Sequence, residues 1–335
     1  MSVNILAIET SCDETAAAVV CNGREIKSNI IYTQIATHKA YGGVVPEIAS
    51  REHLRKITQV VEAALAEGGI DRAELDAIAV TEGPGLIGSL LVGLSYAKAM
   101  AAALDIPLIG VHHLAGHLYG GIMTQPELEP PLVGLIASGG HSTLVSLSSH
   151  LSFKVLGETR DDAPGEVLDK VARSIGLSYP GGAALEALAR EGNKEAIAFP
   201  RAWLEEGSLD FSFSGLKSSV LNYLNRSAMK GEEVSYANLA ASFQEALFDV
   251  LAVKSVEGCK REGAKALVLS GGVAANQRLC EIMEARAQEA EIKFYHPPKI
   301  LCTDNGAMIG SVAYYKYLQG QFSGADLNSA ANLPL

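Results

Sequence analysis

The chain has 335 residues, 48% hydrophobic and 19% charged, with 33 glycines and 12 prolines, a balance that excludes disorder, collagen and a bare coiled coil and points to a globular α/β protein of about two domains. Its formal charge of −11 repels polyanions on average, so a nucleic-acid partner needs a local basic patch or a basic partner protein. The five cysteines make no CxxC pair and are odd in number, which reads as reduced thiols in a cytoplasmic protein rather than a disulfide framework.

Along the chain, residues 3–9, 16–21 and 26–32 read as three successive strands. Residues 46–67 read as a helix, because Ile48, His53, Leu54, Ile57, Val60, Val61, Ala64 and Leu65 recur at helical spacing. A short buried strand at 77–81 leads through Gly83-Pro84-Gly85 into a helix at 88–104, followed by a strand at 107–111. The apolar run 86–104 carries Gly, Ser, Tyr96 and Lys98 and is expected as a core helix, not a membrane span. No basic segment precedes the first apolar run, so no secretory signal is expected. Then the pattern restarts, with strands at 132–137, 142–147 and 153–157 and helices at 166–175 and 183–190. A long helix at 236–261, a strand at 266–270 and helices at 274–290 and 305–318 complete the chain.

The restart suggests two similar lobes. Residues 5–11 and 133–140 are both a strand that ends in a short Ser/Gly/Asp turn and runs into a second strand. The lobes are expected at 1–118, with a helical insertion at about 33–68, and at 131–335, with the last helix near the cleft between lobes. Residues 119–130, closed by the proline-rich Gln125 to Pro131 stretch, are expected as the linker.

Four turns after strands are candidates for holding phosphate, since exposed N–H groups in glycine turns point at anions. They are Thr10 to Thr15, Glu82 to Gly85, Ser138-Gly139-Gly140-His141 and Ser270-Gly271-Gly272-Val273. Gly83 to Gly88 matches GxGxxG, but the next strand ends in His112 where a dinucleotide site needs an acid. His113 and His117 are four residues apart and share a helical face, where two imidazoles can hold one metal. Leu114 occupies the position of the zinc-protease glutamate, which disfavours a metalloprotease. A third ligand has to come from elsewhere, and spacing alone does not pick it; Thr303-Asp304-Asn305 is a candidate stretch, which also reads as a helix N-cap through Asp304 or Asn305. Asp161, Asp162, Glu166 and Asp169 cluster near a helix start, either as dipole partners or as ligand groups. Phe211 to Lys217 reads as a short strand or loop.

Eight motifs stand in the order of one family: Ile8 to Thr15, Gly42 to Glu47, Glu82 to Leu86, His112 to His117, Ser138 to His141, Phe211 to Lys217, Ser270 to Asn276 and Cys302 to Asn305. Over residues 4–308 the chain resembles the bacterial TsaD (Gcp) family of tRNA threonylcarbamoyladenosine transferase subunits. The resemblance implies a duplicated two-lobe fold of the actin/sugar-kinase/Hsp70 (ASKHA) class. It implies transfer of the threonylcarbamoyl group of threonylcarbamoyl-AMP to adenosine 37 of tRNAs reading codons that begin with A, with release of AMP. By position, His113, His117 and Asp304 would be the metal ligands, for Fe2+ first and Zn2+ second. Ala137, Ser138, Gly139, Gly140, His141, Asp169, Gly182, Glu186 and Asn276 would contact the substrate, with Glu186 where some relatives have an Asp. Asp13 and Glu14 would stand near the reacting centre, one of them as proton acceptor.

The implied partners are tRNA through its anticodon stem-loop, TsaB and TsaE, with no membrane. The local positive groups expected to face RNA are Arg51, His53, Arg55, Lys56, Lys170, Arg173 and Lys217. One departure is Pro164, where the family usually has Ala; proline suits a first helical turn. The rival readings are a small-molecule kinase of the same fold and a non-catalytic scaffold.

Overall fold

A computed structural model describes residues 2–335 and divides the chain into two compact units. Unit 1 comprises Met1–Glu129, Ser149–Ser152 and Pro297–Leu335; unit 2 comprises Pro130–Ser148 and Phe153–His296.

In unit 1 the elements run β1 (Asn4–Glu9), β2 (Glu14–Cys21), β3 (Glu25–Thr33), α1 (Ile35–Lys39), α2 (Pro46–Gly68), β4 (Ala77–Gly83), α3 (Ile87–Leu104), β5 (Leu108–His112) and α4 (His113–Ile122). The sheet order is β3-β2-β1-β4-β5. β1 pairs antiparallel with β2 and parallel with β4, which in turn pairs parallel with β5. Both faces of this sheet are covered. Leu6, Ile8, Ala17 and Val19 pack against Ile57, Val61 and Ala64 of α2 and Leu94 and Ala97 of α3. On the other face Ala18 and Val20 pack with Ala307 and Leu301. Two-sided burial explains why β2 reads as a continuous apolar run rather than an alternation.

Unit 2 holds β6 (Leu132–Ala137), β7 (Ser142–Ser149), β8 (Ser152–Glu158), α5 (Pro164–Ser174), α6 (Gly181–Ala189), α7 (Ser214–Lys230), α8 (Tyr236–Glu262), β9 (Ala266–Ser270), α9 (Gln277–Glu289) and β10 (Lys293–Tyr295). Its sheet order is β10-β9-β6-β7-β8. β6 pairs antiparallel with β7 and parallel with β9, and β9 parallel with β10. Read from β8, this is the strand order of the first sheet, so the restart in sequence is a duplication in structure.

Several boundaries differ from the expectation. Residues 119–129 are not a linker, because α4 runs on to Ile122. Arg24, just before β3, anchors the chain beyond α4 by donating to the Ile122, Gln125 and Leu128 carbonyls at 2.8, 2.7 and 3.0 Å. The last 39 residues are expected in the second lobe, but α10 (Lys299–Cys302) and α11 (Gly306–Leu318) belong to unit 1. The reason is packing: a Cβ on Gly306 or Gly310 would strike Ala18 or Val20 of β2 within 2.7 Å, so α11 lies directly on that sheet. Phe211 to Lys217 is neither strand nor loop throughout, because α7 starts at Ser214. Pro164 is accommodated in the first turn of α5. By length and apolarity α3 passes as a membrane-spanning helix, at mean hydropathy 1.5; here Leu90, Gly93, Leu94, Ala97 and Ala101 face the core while Ile87 and Leu91 are exposed.

Candidate metal centre and adenylate cradle

The metal candidate lies wholly in unit 1. β5 ends at His112, whose Nδ1 accepts the Leu114 N–H at 3.1 Å and so caps α4. All ten residues of α4 are buried. Gly116 allows the close approach of α11, since a Cβ there would stand 2.8 Å from Ile309 Cδ1. The α11 cap is Asn305, whose Oδ1 accepts the Met308 N–H at 3.0 Å. The capping role therefore falls to Asn305, and Asp304 faces the histidines. Its Oδ1 lies 3.2 Å from His117 Nε2 and 3.6 Å from His113 Nε2.

His113, His117 and Asp304 each offer one ligand atom, all within 4.8 Å of one another. Ligands about 2.1 Å from one tetrahedral ion stand roughly 3.4 Å apart, and the observed spacings bracket that. Both ring nitrogens of buried His117 lack a hydrogen-bond partner, although Asp304 is near. Such a site is costly unless something else satisfies it. Burial opposes charging His113, but the carboxylates of Asp304 and Glu9 outweigh it and push its pKa up to about 9. The pocket thus favours positive charge, and its donor set fits a divalent cation.

Glu9, which sequence reasoning missed, is fully buried at the end of β1, with its Oε2 3.1 Å from His113 Nδ1. A glutamate closing an otherwise apolar buried strand is the signal that could have found it. Asp13 ends the turn after β1 and Glu14 begins β2. The Asp13 carbonyl accepts from Gln34 N–H at 3.0 Å, and Glu14 Oε1 accepts from Thr33 Oγ1 at 3.0 Å. Burial first, then the Asp304 and Asp13 carboxylates, raise the Glu14 carboxyl well above its ordinary range. His53 holds this turn from α2: its Nε2 lies 2.9 Å from the Cys12 carbonyl and its Nδ1 2.8 Å from Thr15 Oγ1. Being buried and so engaged, His53 does not face RNA.

The glycine turns of unit 2 meet at one end of its sheet. Ile136 and Ser270 are register partners on parallel β6 and β9, so Ser138-Gly139-Gly140 and Gly271-Gly272 leave the sheet side by side. A Cβ on Gly271 would lie 2.4 Å from the Ala137 carbonyl oxygen, and one on Gly165 2.7 Å from that of Ser138. Gly139, Gly140 and Gly272 are exposed, with open space where a Cβ would stand. Asn276 caps α9, accepting from Arg278 and Leu279 N–H at 3.0 and 3.2 Å. Asp169 accepts the Gly181 and Gly182 N–H groups at 2.7 and 3.1 Å, and burial raises its pKa. Glu186 accepts the Gln277 N–H at 3.0 Å and pairs with Arg190. His141 closes the turn, its N–H donating to Ser138 Oγ at 3.1 Å.

The acidic cluster is not one site. Asp161 accepts from Ser212, Phe213 and Ser214, pinning the start of α7, while Asp162 pairs with Lys170 and Lys217. Those two lysines are therefore neutralised rather than presented to RNA, and Arg55 pairs with Glu52.

Two copies of one five-stranded sheet, with glycine turns at the ends of the parallel strands, define a protein of the ASKHA class. The HypF of T. kodakarensis superposes with TM-score 0.66 at 21% identity, over 97% of this chain and 49% of that one. The (R)-2-hydroxyglutaryl-CoA dehydratase component A of Acidaminococcus fermentans does so with TM-score 0.55 at 13% identity, over 94% and 99%. At these identities the likeness is one of fold. A family model described as "TsaD: tRNA N6-adenosine threonylcarbamoyltransferase" matches residues 25–311, and the chain belongs to that family. Proteins named tRNA N6-adenosine threonylcarbamoyltransferase are 55% identical over 332 residues in Moorella thermoacetica, covering 99% of this chain and 97% of that one, and 56% identical over 333 residues in Desulfitobacterium hafniense, covering 99% and 98%.

Proposed function

We propose that the protein transfers the threonylcarbamoyl group of threonylcarbamoyl-AMP to N6 of adenosine 37 in tRNAs reading codons that begin with A. The observation that carries this reading is the His113–His117–Asp304 cluster, found in a chain 55% identical over 332 residues to a relative named for the activity. The adenosine amine is a poor nucleophile, because its lone pair is delocalised into the purine. Its nitrogen attacks the carbamoyl carbon, a C–N bond forms, the C–O bond to the AMP phosphate breaks, and the amine loses a proton.

Glu14, the first residue of β2, is the preferred proton acceptor and Asp13, just before it, the alternative. The exposed glycines Gly139, Gly140 and Gly272 leave backbone open to the phosphate of departing AMP. Asp169, Gly182, Glu186 and Asn276 would position the rest of the adenylate. A divalent ion held by His113, His117 and Asp304, Fe2+ first and Zn2+ second, would act as a Lewis acid on the threonylcarbamoyl group.

The −11 charge favours shared recognition of the anticodon stem-loop with TsaB and TsaE in the cytoplasm. Arg51 and Lys56 on α2 remain as local cations, and Lys56 lies 4.8 Å over the Tyr32 ring. An apolar groove of about 460 Å³ between α2 and α3, lined by Leu54, Ile57, Leu91 and Tyr96, supports the expectation of a protein partner. The test is incubation with labelled threonine, bicarbonate, ATP, tRNA and the partner proteins. Label in the modified nucleoside, dependent on this chain, is the expected result. Phosphorylation of a small molecule with no label in tRNA would replace the reading with the kinase alternative.

A further inference from the structure

The two candidate histidine ligands are held differently. His117 has no hydrogen bond at either ring nitrogen. His113 has two oxygens at one nitrogen: Glu9 Oε2 lies 3.1 Å from Nδ1, and Ser11 Oγ 3.2 Å. Glu9 is itself fixed. It is fully buried, and it accepts hydrogen bonds from the Thr81 hydroxyl and the Ser11 N–H. An ionised carboxylate offers only acceptors, so the His113 nitrogen facing it must carry the proton. In the neutral ring, the form that can bind a cation, the other nitrogen, Nε2, then holds the lone pair on the side of Asp304 Oδ1, 3.6 Å away.

We propose that Glu9 is a positioning residue, which sets His113 in its Nδ1–H tautomer and aims Nε2 at the divalent ion. This rests on the reading that His113, His117 and Asp304 hold a cation. The carboxylate does not touch the ion; it fixes ring rotation and tautomer through the imidazole, and such outer partners typically carry 10–100-fold in metal affinity. Glu9→Gln is a sharp probe of this. The Ser11 N–H needs an acceptor, which turns the Gln carbonyl toward Ser11 and its amide NH2 toward His113. That NH2 opposes a proton on Nδ1, for which Ser11 Oγ is left as acceptor, and so favours the tautomer with its proton on Nε2, which closes the ligand position.

The test uses Zn2+ alone as probe, in competition with a chromophoric chelator, on the full chain. Wild type is expected to bind Zn2+, and Glu9→Gln to bind it about 10–100-fold more weakly. Nitrogen-15 NMR of the Zn2+-loaded wild type, which needs no variant to fold, is expected to show His113 protonated at Nδ1 and ligated through Nε2. Glu9→Gln binding within twofold of wild type, or ligation through Nδ1, overturns the role of Glu9 and leaves the metal reading standing. Failure of wild type to bind Zn2+ overturns both.

Discussion

Gly306 lies against the backbone of Ala18: a Cβ on it would stand 2.5 Å from the Ala18 nitrogen. Because β2 is fixed on both sides in its sheet, that obstacle cannot swing away as a side-chain end can. Gly306 sets how close the start of α11, and with it Asp304, comes to the rest of unit 1. Gly306→Ala is expected to lower stability by about 1–3 kcal/mol, the usual cost of overpacking, and to weaken Zn2+ binding by displacing Asp304. Gly116→Ala meets side-chain atoms, Ile309 Cδ1 at 2.8 Å and Met308 Cγ at 3.3 Å, rather than backbone, so its effect should be smaller. Thermal melts and Zn2+ titration of the two variants check the ranking; the reverse order would contradict the packing argument.

Unpartnered nitrogens make His117 the residue that gains most from an ion. In chelator, His117→Ala forfeits packing and the 3.2 Å approach of Asp304 Oδ1 to Nε2. With Zn2+ at about 100 times its Kd, wild type gains roughly 2.7 kcal/mol from linkage that the variant cannot. The gap in unfolding free energy between the two proteins is therefore expected to widen by about that amount on adding Zn2+. Parallel denaturant titrations with and without the ion measure it, and an unchanged gap would remove His117 from the ligand set.

What the sequence made legible was mostly local. The strand–turn–strand restart at residues 133–140 became a sheet with the order of the first, because a fixed pattern of buried runs forces the same pairing. The spacing of His113 and His117 put them on one helix face, since helical geometry alone does so. The partnerships made across the chain were not legible. Nothing near Asp162 announces Lys217, and nothing near Thr15 announces His53; both pairs depend on helices docking from elsewhere. The helix at Ser214–Lys230 escapes a reading by period because its start carries Ser-Gly rather than an apolar repeat. Its first turn is held instead by Asp161, a cap supplied from a distant segment.

The Glu245–Arg278 pair links α8 to the helix capped by Asn276, through Nε–Oε2 and Nη2–Oε1 contacts of 2.9 Å each. Burial alone would raise the Glu245 carboxyl, but Arg278 and then Lys194 outweigh it and hold it below its ordinary value of 4.5. A depressed carboxylate stabilises the fold above its unfolded pKa and loses that contribution as pH falls through the folded one. Glu245→Gln is expected to be less stable than wild type at neutral pH by up to about 1 kcal/mol, given partial exposure of the pair. The difference should be present above pH 4.5 and shrink below it. Urea melts of both proteins across that range measure it, and a difference that grows on acidification would reverse the sign assigned here.

Asn276 has one observed role and one proposed role, and one substitution can separate them. Its Oδ1 caps α9 by accepting from the Arg278 and Leu279 N–H groups, and it is also proposed to contact the adenylate. Asn276→Asp keeps a capping oxygen and ranks equally as an N-cap, but adds a negative charge at a site proposed to receive a phosphate ester. Its melting temperature should stay close to wild type while affinity for AMP falls by about tenfold or more, an unfavourable charge interaction of roughly 1.4 kcal/mol. Asn276→Ala removes the cap, so stability should drop by about 0.5–2 kcal/mol, and AMP affinity should fall with it. Calorimetric AMP titration beside thermal melts separates the cases. If Asn276→Asp bound AMP as well as wild type, the residue would be a helix cap and nothing more.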